Sequence, residues 1–181
     1  MTPPVLSDGV VRLRPWRLDD APLVARACAD PEIQARIPVP TPYTLADGEA
    51  FMALCLDRYA ASDDGHLAID DVATDRLIGS ITRHPPEGHR ATIGYWMAPW
   101  GRGHGHMARA LRLLVDATFA TTDLVRLELF TDPDNVASQR TAERAGFERE
   151  GVLRAWFSMR GTPVDVVMFS RLRTDLTAGG A

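Results

Sequence analysis

The amino-acid sequence predicts a mixed α/β fold with the element order β-αα-βββ-α-β-α-ββ. Short segments such as 10–14 and 125–130 alternate apolar and polar residues, as half-buried strands do. Residues 107–118 instead carry apolar side chains at helical spacing. Neither an internal repeat nor a long linker divides the chain. We therefore expect one domain over residues 1–176, followed by a disordered tail at 177–181.

In the first half of the chain, acidic and proline residues mark the element boundaries. After the strand at 10–14, Asp19 and Asp20 precede a short predicted helix over 21–29. Thr44-Leu-Ala-Asp has the form of a capping box and begins a second helix that runs to about residue 61. The prolines at 38, 40 and 42 predict an extended loop between these helices. Alternating segments then predict three strands, at 66–70, 77–83 and 92–97, with a hairpin loop at 84–90.

The second half begins with a long amphipathic helix inside the stretch 102–119. Its apolar positions are Met107, Ala110, Leu111, Leu114 and Thr118, whereas Arg109, Arg112 and Asp116 face away. A strand at 125–130 and a helix at 136–145 follow, and Gly146 ends that helix as a C′ residue. Two last strands are predicted at 147–157 and 164–170.

Composition excludes several classes of protein. The chain has 181 residues, with 45% hydrophobic residues, 24% charged residues and a net charge of −4. This charge disfavours direct nucleic-acid binding, because phosphate backbones attract basic surfaces. Cys28 and Cys55 do not form a metal-type pair, so we expect two reduced, buried thiols and no metal. Since neither a membrane span nor a signal peptide is recognisable, we expect a cytoplasmic protein that does not bind membranes.

The segment Arg102-Gly103-His104-Gly105-His106 suggests an anion site at the start of the long helix. Glycines let a backbone approach phosphate oxygens closely, and successive N–H groups at a helix start attract an anion. The side chains of Arg102, His104 and His106 would add hydrogen-bond donors for the anion. The segment matches neither the P-loop nor the dinucleotide fingerprint. The alternative is a tight strand-to-helix turn that carries solvated histidines.

Residues 93–111, IGYWMAPWGRGHGHMARAL, resemble the acyl-CoA-binding signature of the GNAT acetyltransferases. Arg102, Gly105 and Met107 stand at its motif positions, although Met107 replaces a small residue. Residues 132–154 resemble the Asn-x-x-Ser and Glu-x-x-Gly-Phe block of the Rim-type branch, which acetylates the N-termini of ribosomal proteins.

The resemblance covers about residues 10–170 and implies a GNAT fold. This fold has a central mixed, largely antiparallel twisted sheet of about seven strands and about four flanking helices. It also implies that the anion is the pyrophosphate of acetyl-CoA, bound by N–H groups from Gly103 to Ala108. Trp96, Met97 and Ala98 would pair with the pantetheine arm of CoA like an added strand.

Asn135 and Ser138 are the predicted reaction-site residues on the last helix. Helix capping alone explains their residue types, because Asn is a strong N-cap and Ser is common in the first turn. The resemblance instead places Asn135 beside the pantetheine and Ser138 near the thioester sulfur. There a hydroxyl can protonate the departing thiolate. The resemblance leaves Glu143, Gly146 and Phe147 as helix–strand packing.

The general base of the family is missing from its usual positions. Thr92 stands where many relatives have a strand Glu, and Phe157 stands where some Rim-type enzymes have one. Asp165, His66, His89 and His106 are other base candidates, although each has a structural or solvated alternative. A peptide α-amine has a pKa near 8 and so needs less help than a lysine, whose pKa is about 10.4.

Two functions follow as hypotheses. The first is an acetyl-CoA-dependent N-acetyltransferase that acts on a primary amine, either a protein N-terminus or a small antibiotic, polyamine or metabolite. The second is a non-catalytic acyl-CoA sensor on the same fold. We expect a monomer or homodimer, with the loops 38–43 and 157–162 at the acceptor entrance. Tyr95, Trp96, Trp100 and Trp156 would line the acceptor site, with core packing as their alternative role.

Overall fold

The computed structural model describes residues 4–61 and 65–178 of the chain. Their contacts divide into two compact units. The first unit comprises Met1–Thr82 and Tyr95–His106, and the second comprises Arg83–Gly94 and Met107–Ala181. The expectation of one domain over residues 1–176 stays a prediction.

The first unit packs three helices against antiparallel strands. It contains β1 (Leu6–Ser7), β2 (Val11–Arg14), α1 (Ala21–Cys28), α2 (Pro31–Arg36), α3 (Leu45–Ala60), β3 (His66–Asp71) and β4 (Arg76–Arg83). Strands β1 to β3 pair antiparallel with their successors in the chain order. The core of this unit includes Trp16, Val24, Met52 and Cys55. Helix α3 approaches α1 closely, because a Cβ at Gly48 would lie 2.8 Å from the Ala21 carbonyl oxygen.

Local signals explain how these helices begin. The predicted capping box is confirmed at α3, where the Thr44 N–H donates to Asp47 Oδ2 at 2.8 Å and the Asp47 N–H donates to Thr44 Oγ1. Helix α2 was not predicted, although its start carries a recognisable signal. Asp30 caps it by accepting from the Ile33 N–H, and Pro31 occupies the first helical position.

The second unit packs helices against the remaining strands. It contains most of α4 (His106–Thr121), together with β6 (Arg126–Thr131), α5 (Val136–Arg144), β7 (Glu148–Met159), β8 (Thr162–Leu172) and α6 (Asp175–Ala178). Strand β5 (Arg90–Met97) contributes residues to both units. Its beginning pairs in parallel with β6, whereas β6 and β7 each pair antiparallel with β8.

The hydrogen-bonded strand order is β1-β2-β3-β4-β5-β6-β8-β7. The predicted mixed, largely antiparallel sheet is therefore confirmed, with eight strands in place of about seven in the part of the chain that is described. The short strand β1 and the helices α2 and α6 account for the elements that were not predicted. Helix α6 includes Thr177 and Ala178, the first two residues of the predicted tail, and 179–181 lie outside the described residues.

The apolar face predicted for α4 is confirmed. Met107, Ala110, Leu111, Leu114 and Thr118 are all buried. Arg112 and Asp116 are exposed and Arg109 is half-buried, so the polar face also agrees. Cys28 and Cys55 are buried free thiols, as predicted, and burial raises the pKa of Cys28 to about 12.

Each unit holds a cluster of charged residues that the strand alternation did not reveal. In the first unit, Arg14 is buried and bonds Asp20 and Asp70, at 2.7 Å each. Burial acts to lower the pKa of Arg14, but the two carboxylates outweigh it and raise that pKa. Because a carboxylate stands on each side of the guanidinium, the charge is compensated inside the unit.

In the second unit, Arg126 joins Glu128 and Glu150. Its Nε donates to Glu128 at 2.8 Å, and its two terminal nitrogens donate to Glu150 at 2.6 and 2.7 Å. The hydrogen bonds from Arg126, aided by one from Ser170, lower the pKa of Glu150 to about 2.

Candidate active site

The loop between β5 and α4 is built around three glycines with different roles. Gly101 ends a 3-10 turn, and a Cβ there would lie 2.7 Å from the Met97 sulfur and 2.8 Å from Ile78 Cβ. Gly103 and Gly105 have φ values of +86° and +74°, in the left-handed region that favours glycine. At neither of these two would a Cβ meet an atom of the described residues within 4 Å, apart from its chain neighbours. The loop therefore needs glycine for its path, and open space borders Gly103 and Gly105.

Helix α4 begins directly after this loop, at His106. The first N–H groups of any α-helix have no partner within the helix, and the helix dipole makes that end attractive to anions. A Cβ at Gly103 or Gly105 would lie in open space, so no side chain at these two positions covers the approach to the first turn. The geometry of this loop thus fits the anion site that the sequence predicts.

The two histidines of the loop differ in exposure. His104 is exposed, whereas His106 is buried, and their ring centroids lie 5.5 Å apart. The Nδ1 atom of His106 is buried and has no hydrogen-bond partner within the described residues. Both rings line an open cavity of about 330 Å³ in the first unit, which Trp100 also borders.

The side chain of Arg102 is bound to carboxylates of α2. It donates to Asp30 at 2.6 Å and to Glu32 at 2.8 Å, and its Nε donates to the Met97 carbonyl oxygen at 3.3 Å. The sequence predicted that Arg102 supplies a phosphate donor, and could not reveal that two acidic residues already occupy its guanidinium.

Trp96, Met97 and Ala98 at the end of β5 are predicted to pair with pantetheine, but some of their backbone groups already have hydrogen-bond partners. The Ala98 N–H donates to the Ile78 carbonyl oxygen at 2.8 Å, so it is already used within the first unit. Alternate residues of a strand direct their peptide groups to opposite edges, which leaves Met97 facing away from β4. The indole of Trp96 packs near Trp16, with ring centroids 6.4 Å apart. Of the three predicted residues, Met97 is the one whose peptide group faces away from β4, and its carbonyl oxygen accepts from Arg102 Nε.

Asn135 and Ser138 are adjacent on the first turn of α5 in the second unit. Asn135 is the N-cap, and its side-chain oxygen accepts from the Ser138 N–H at 3.1 Å. The capping role is therefore confirmed for Asn135. Both side chains are half-buried, so each keeps an accessible portion. At the other end of α5, Gly146 has φ +84° and Phe147 is buried, in agreement with a packing role.

The structure gives the base candidates structural contacts. Asp165 accepts a hydrogen bond from the Ala155 N–H at 2.8 Å, where Ala155 has φ +50° in a bulge of β7. The carboxylate therefore supports an unusual backbone conformation. His66 Nδ1 lies 3.3 Å from Thr82 Oγ1, and His89 is exposed. Asp165 and His66 therefore have contacts within the fold, whereas His89 is exposed to solvent.

Phe157 and Thr92 occupy the positions where relatives have carboxylates. Phe157 packs on Phe130, with ring centroids 5.2 Å apart. Thr92 lies beside Glu128 in the parallel register of β5 and β6. Sequence reasoning missed Glu128, which is buried but bonded to Arg126, so it is better suited to pairing than to proton abstraction.

The aromatic residues predicted at the acceptor site separate into packed and exposed ones. Trp100 donates through Nε1 to the Leu77 carbonyl oxygen at 2.8 Å. The guanidinium groups of Arg26 and Arg76 lie 5.0 and 4.7 Å from its ring centroid. Trp156 is 53% exposed on β7, which makes it the aromatic candidate most accessible to an acceptor.

Residues 4–61 and 65–178 hold no group of three or more His, Cys, Asp or Glu side chains arranged to bind a metal ion. None of the described helices combines the length and apolar character that a bilayer span requires.

Comparison with known proteins identifies the family. The family model described as "Acetyltransferase (GNAT) domain" matches residues 11–148. The chain is 28% identical over 166 residues to the uncharacterized N-acetyltransferase p20 of Bacillus licheniformis, covering 90% of this chain and 93% of that protein. It is 32% identical over 100 residues to the ribosomal-protein-serine acetyltransferase of Escherichia coli strain K12, covering 54% of this chain and 56% of that protein.

The fold has a matching solved structure with bound CoA. RimL, a ribosomal L7/L12 alpha-N-protein acetyltransferase in complex with coenzyme A, superposes with a TM-score of 0.79 at 21% identity. The superposition covers 95% of this chain and 98% of that chain. The family model, which matches residues 11–148, establishes that the chain belongs to the GNAT acetyltransferase family.

Proposed function

We propose that this protein transfers an acetyl group from acetyl-CoA to a primary amine, and that the preferred amine is the α-amino group of a peptide or protein. The observation that carries the proposal is the open, left-handed glycine loop before α4. The N–H groups from Gly103 to Ala108 would bind the pyrophosphate, and Met97 would pair with the pantetheine arm.

In the proposed reaction the amine attacks the thioester directly while both substrates are bound. The amine nitrogen forms a bond to the carbonyl carbon, the C–S bond breaks, and CoA leaves as a thiolate. The amine loses one proton, and the thiolate gains one to become the thiol. We assign delivery of that proton to the Ser138 hydroxyl, which then regains a proton from solvent or from the amine. We assign orientation of the pantetheine to the Asn135 amide.

An α-amine suits this site because the chain supplies no carboxylate at Thr92 or Phe157. A group with a pKa near 8 is partly neutral at pH 7.5 without an enzyme base, whereas a lysine side chain is almost fully protonated. RimL, which is named as an alpha-N-protein acetyltransferase, supports the same preference by analogy.

The test is thiol release from acetyl-CoA in the presence of matched peptides. One peptide has a free α-amine and no lysine, and its control has a blocked α-amine and one lysine. We expect faster release with the free α-amine. Faster release with the lysine peptide would overturn the α-amine preference.

A non-catalytic acyl-CoA sensor is the second candidate, because both usual base positions hold residues that cannot accept a proton. A sensor would bind CoA in calorimetry but release no thiol above background with any amine tested. A range of amines that includes small polyamines and amino sugars would separate the sensor from an enzyme with a small-molecule acceptor.

A further inference from the structure

We name the segment from Arg102 to Gly105, before α4, the phosphate loop. Arg102 links this loop to α2 through the carboxylates of Asp30 and Glu32, all within the first unit. We propose that Arg102 is a positioning residue, which does not itself bind the phosphates of acyl-CoA. It holds the loop in its binding conformation and couples acyl-CoA binding to α2 and the chain that follows. This inference rests on the proposed acyl-CoA site and concerns how that site is maintained.

The first argument is that three of the five N–H donors of the guanidinium already have protein acceptors. One terminal nitrogen bonds Asp30, the other bonds Glu32, and Nε bonds the Met97 carbonyl oxygen. A phosphate group would have to compete with two carboxylates and a carbonyl for these donors. Departure of Arg102 would also leave the Asp30 side chain, which is only 17% exposed, without its cation.

The second argument is that a single oxygen of Asp30 accepts hydrogen bonds both from Arg102 in the loop and from the first turn of α2. Oδ1 accepts from Arg102 at 2.6 Å and from the Ile33 N–H at 3.1 Å, so it caps α2 and bonds the loop at once. Partial burial acts to raise the pKa of Asp30, but these two hydrogen bonds outweigh it and hold that pKa below its usual value. The carboxylate therefore stays charged and keeps the link intact at neutral pH.

The third argument is the position of α2 in the chain. Helix α2 ends at Arg36, and the proline-rich segment 38–43 follows it directly. A change in the loop at Arg102 would therefore be transmitted through Asp30 to the first turn of α2 and onward to a segment expected to border the acceptor entrance. No such connection exists if Arg102 serves only as a phosphate ligand.

Calorimetry with CoA distinguishes a positioning role of Arg102 from direct phosphate binding, because the two roles predict opposite changes in CoA affinity for one substitution. Asp30→Asn removes the charge but keeps an equally good N-cap. If Arg102 bound phosphate directly, this substitution would release it from a competing anion, and CoA would bind more tightly. We expect weaker binding, by about tenfold, as the loss of a hydrogen bond between charged groups allows. Arg102→Lys keeps the positive charge but cannot span both carboxylates, and we expect a similar loss.

The matched control is Asp57→Asn, which makes the same change of charge at an exposed position on α3. We expect CoA affinity to be unchanged in this variant. Circular dichroism verifies that all three variants are folded. Tighter or unchanged CoA binding by folded Asp30→Asn protein would overturn the proposal.

Hydrogen exchange tests the coupling itself. In the wild-type protein, saturating CoA should slow amide exchange across residues 33–43, and Asp30→Asn should abolish that protection even when saturated with CoA. Equal protection in both proteins would overturn the coupling. Failure of the wild-type protein to bind CoA would overturn the proposed function as well, whereas wild-type binding with unaltered variants would overturn this inference alone.

Discussion

Helices α4 and α5 begin in opposite ways. At the start of α5, the Asn135 side chain accepts from the Ser138 N–H, so the chain satisfies the helix end itself. At the start of α4, Gly103 and Gly105 provide no side chain that could cap, and both have positive φ. The start of α5 thus has a side-chain cap, whereas the start of α4 follows two glycines, and we propose that its first N–H groups bind a ligand.

The two helix starts differ in what they contribute to stability. A good N-cap stabilises a protein by about 1 kcal/mol relative to alanine, whereas glycine in a loop adds conformational entropy to the unfolded state. The start of α4 therefore lacks the stabilisation that a cap gives, and under the proposed function its glycines allow an anion to approach closely. The start of α5 retains its cap and adds a hydroxyl at Ser138.

The largest expected effect tests whether Ser138, in the first turn of α5, takes part in the reaction. If the Ser138 hydroxyl protonates the leaving thiolate, Ser138→Ala should lower kcat about 100-fold, the lower range of general acid catalysis. Acetyl-CoA affinity should change little, because the backbone N–H that bonds Asn135 is retained. Single-turnover thiol release measures this. Wild-type turnover in the variant would remove Ser138 from the reaction.

The next effect concerns the phosphate loop. Gly105→Val should lower CoA affinity by more than tenfold, because a branched residue is strained at positive φ and its side chain would fill the open space. Calorimetry with the folded variant checks this. Gly88→Val, also at positive φ with open space, is the control, and should leave CoA affinity unchanged. An unchanged affinity in Gly105→Val would place the phosphate site elsewhere.

A smaller effect concerns the cap of α5. Asn135→Ala should lower the free energy of unfolding by about 1 kcal/mol, because the Ser138 N–H loses its acceptor. Asn135→Asp retains an acceptor and should recover most of that stability. If both variants bind acetyl-CoA as the wild type does, then Asn135 serves only as a cap. Urea denaturation and calorimetry separate the two roles.

The smallest expected effect lies in the pH profile of kcat/KM, which should show no separate titration of an enzyme base. With neither helix start supplying a base, kcat/KM should rise with pH and level off near the pKa of the acceptor amine, which is about 8 for a peptide. Two peptides with different N-terminal pKa values should show two different inflections. An inflection that stays fixed would indicate an enzyme base, and His66, His89, His106 and Asp165 would then be substituted in turn.

Much of the fold could be predicted because its signals are local. The capping box at Thr44, the apolar face of α4 and the C′ glycine at Gly146 each depend on residues within a few positions of one another. Helix α2 carries the same kind of local signal, because the N-cap Asp30 is followed by Pro31. It lies next to a proline-rich segment and was not predicted. The glycine motif of the phosphate loop was likewise visible, because it is contiguous.

The sequence by itself thus determined most of the order of elements, the glycine loop before α4 and, through the resemblance of two contiguous motifs, the GNAT family. Only the tertiary structure decided what the charged side chains contact. Arg102 and Asp30 are 72 positions apart, and alternation along β2 could not show that Arg14 is buried between two carboxylates. The physical reason is that helix spacing and caps depend on neighbouring residues, whereas ion pairing depends on distances that exist only after distant segments have packed.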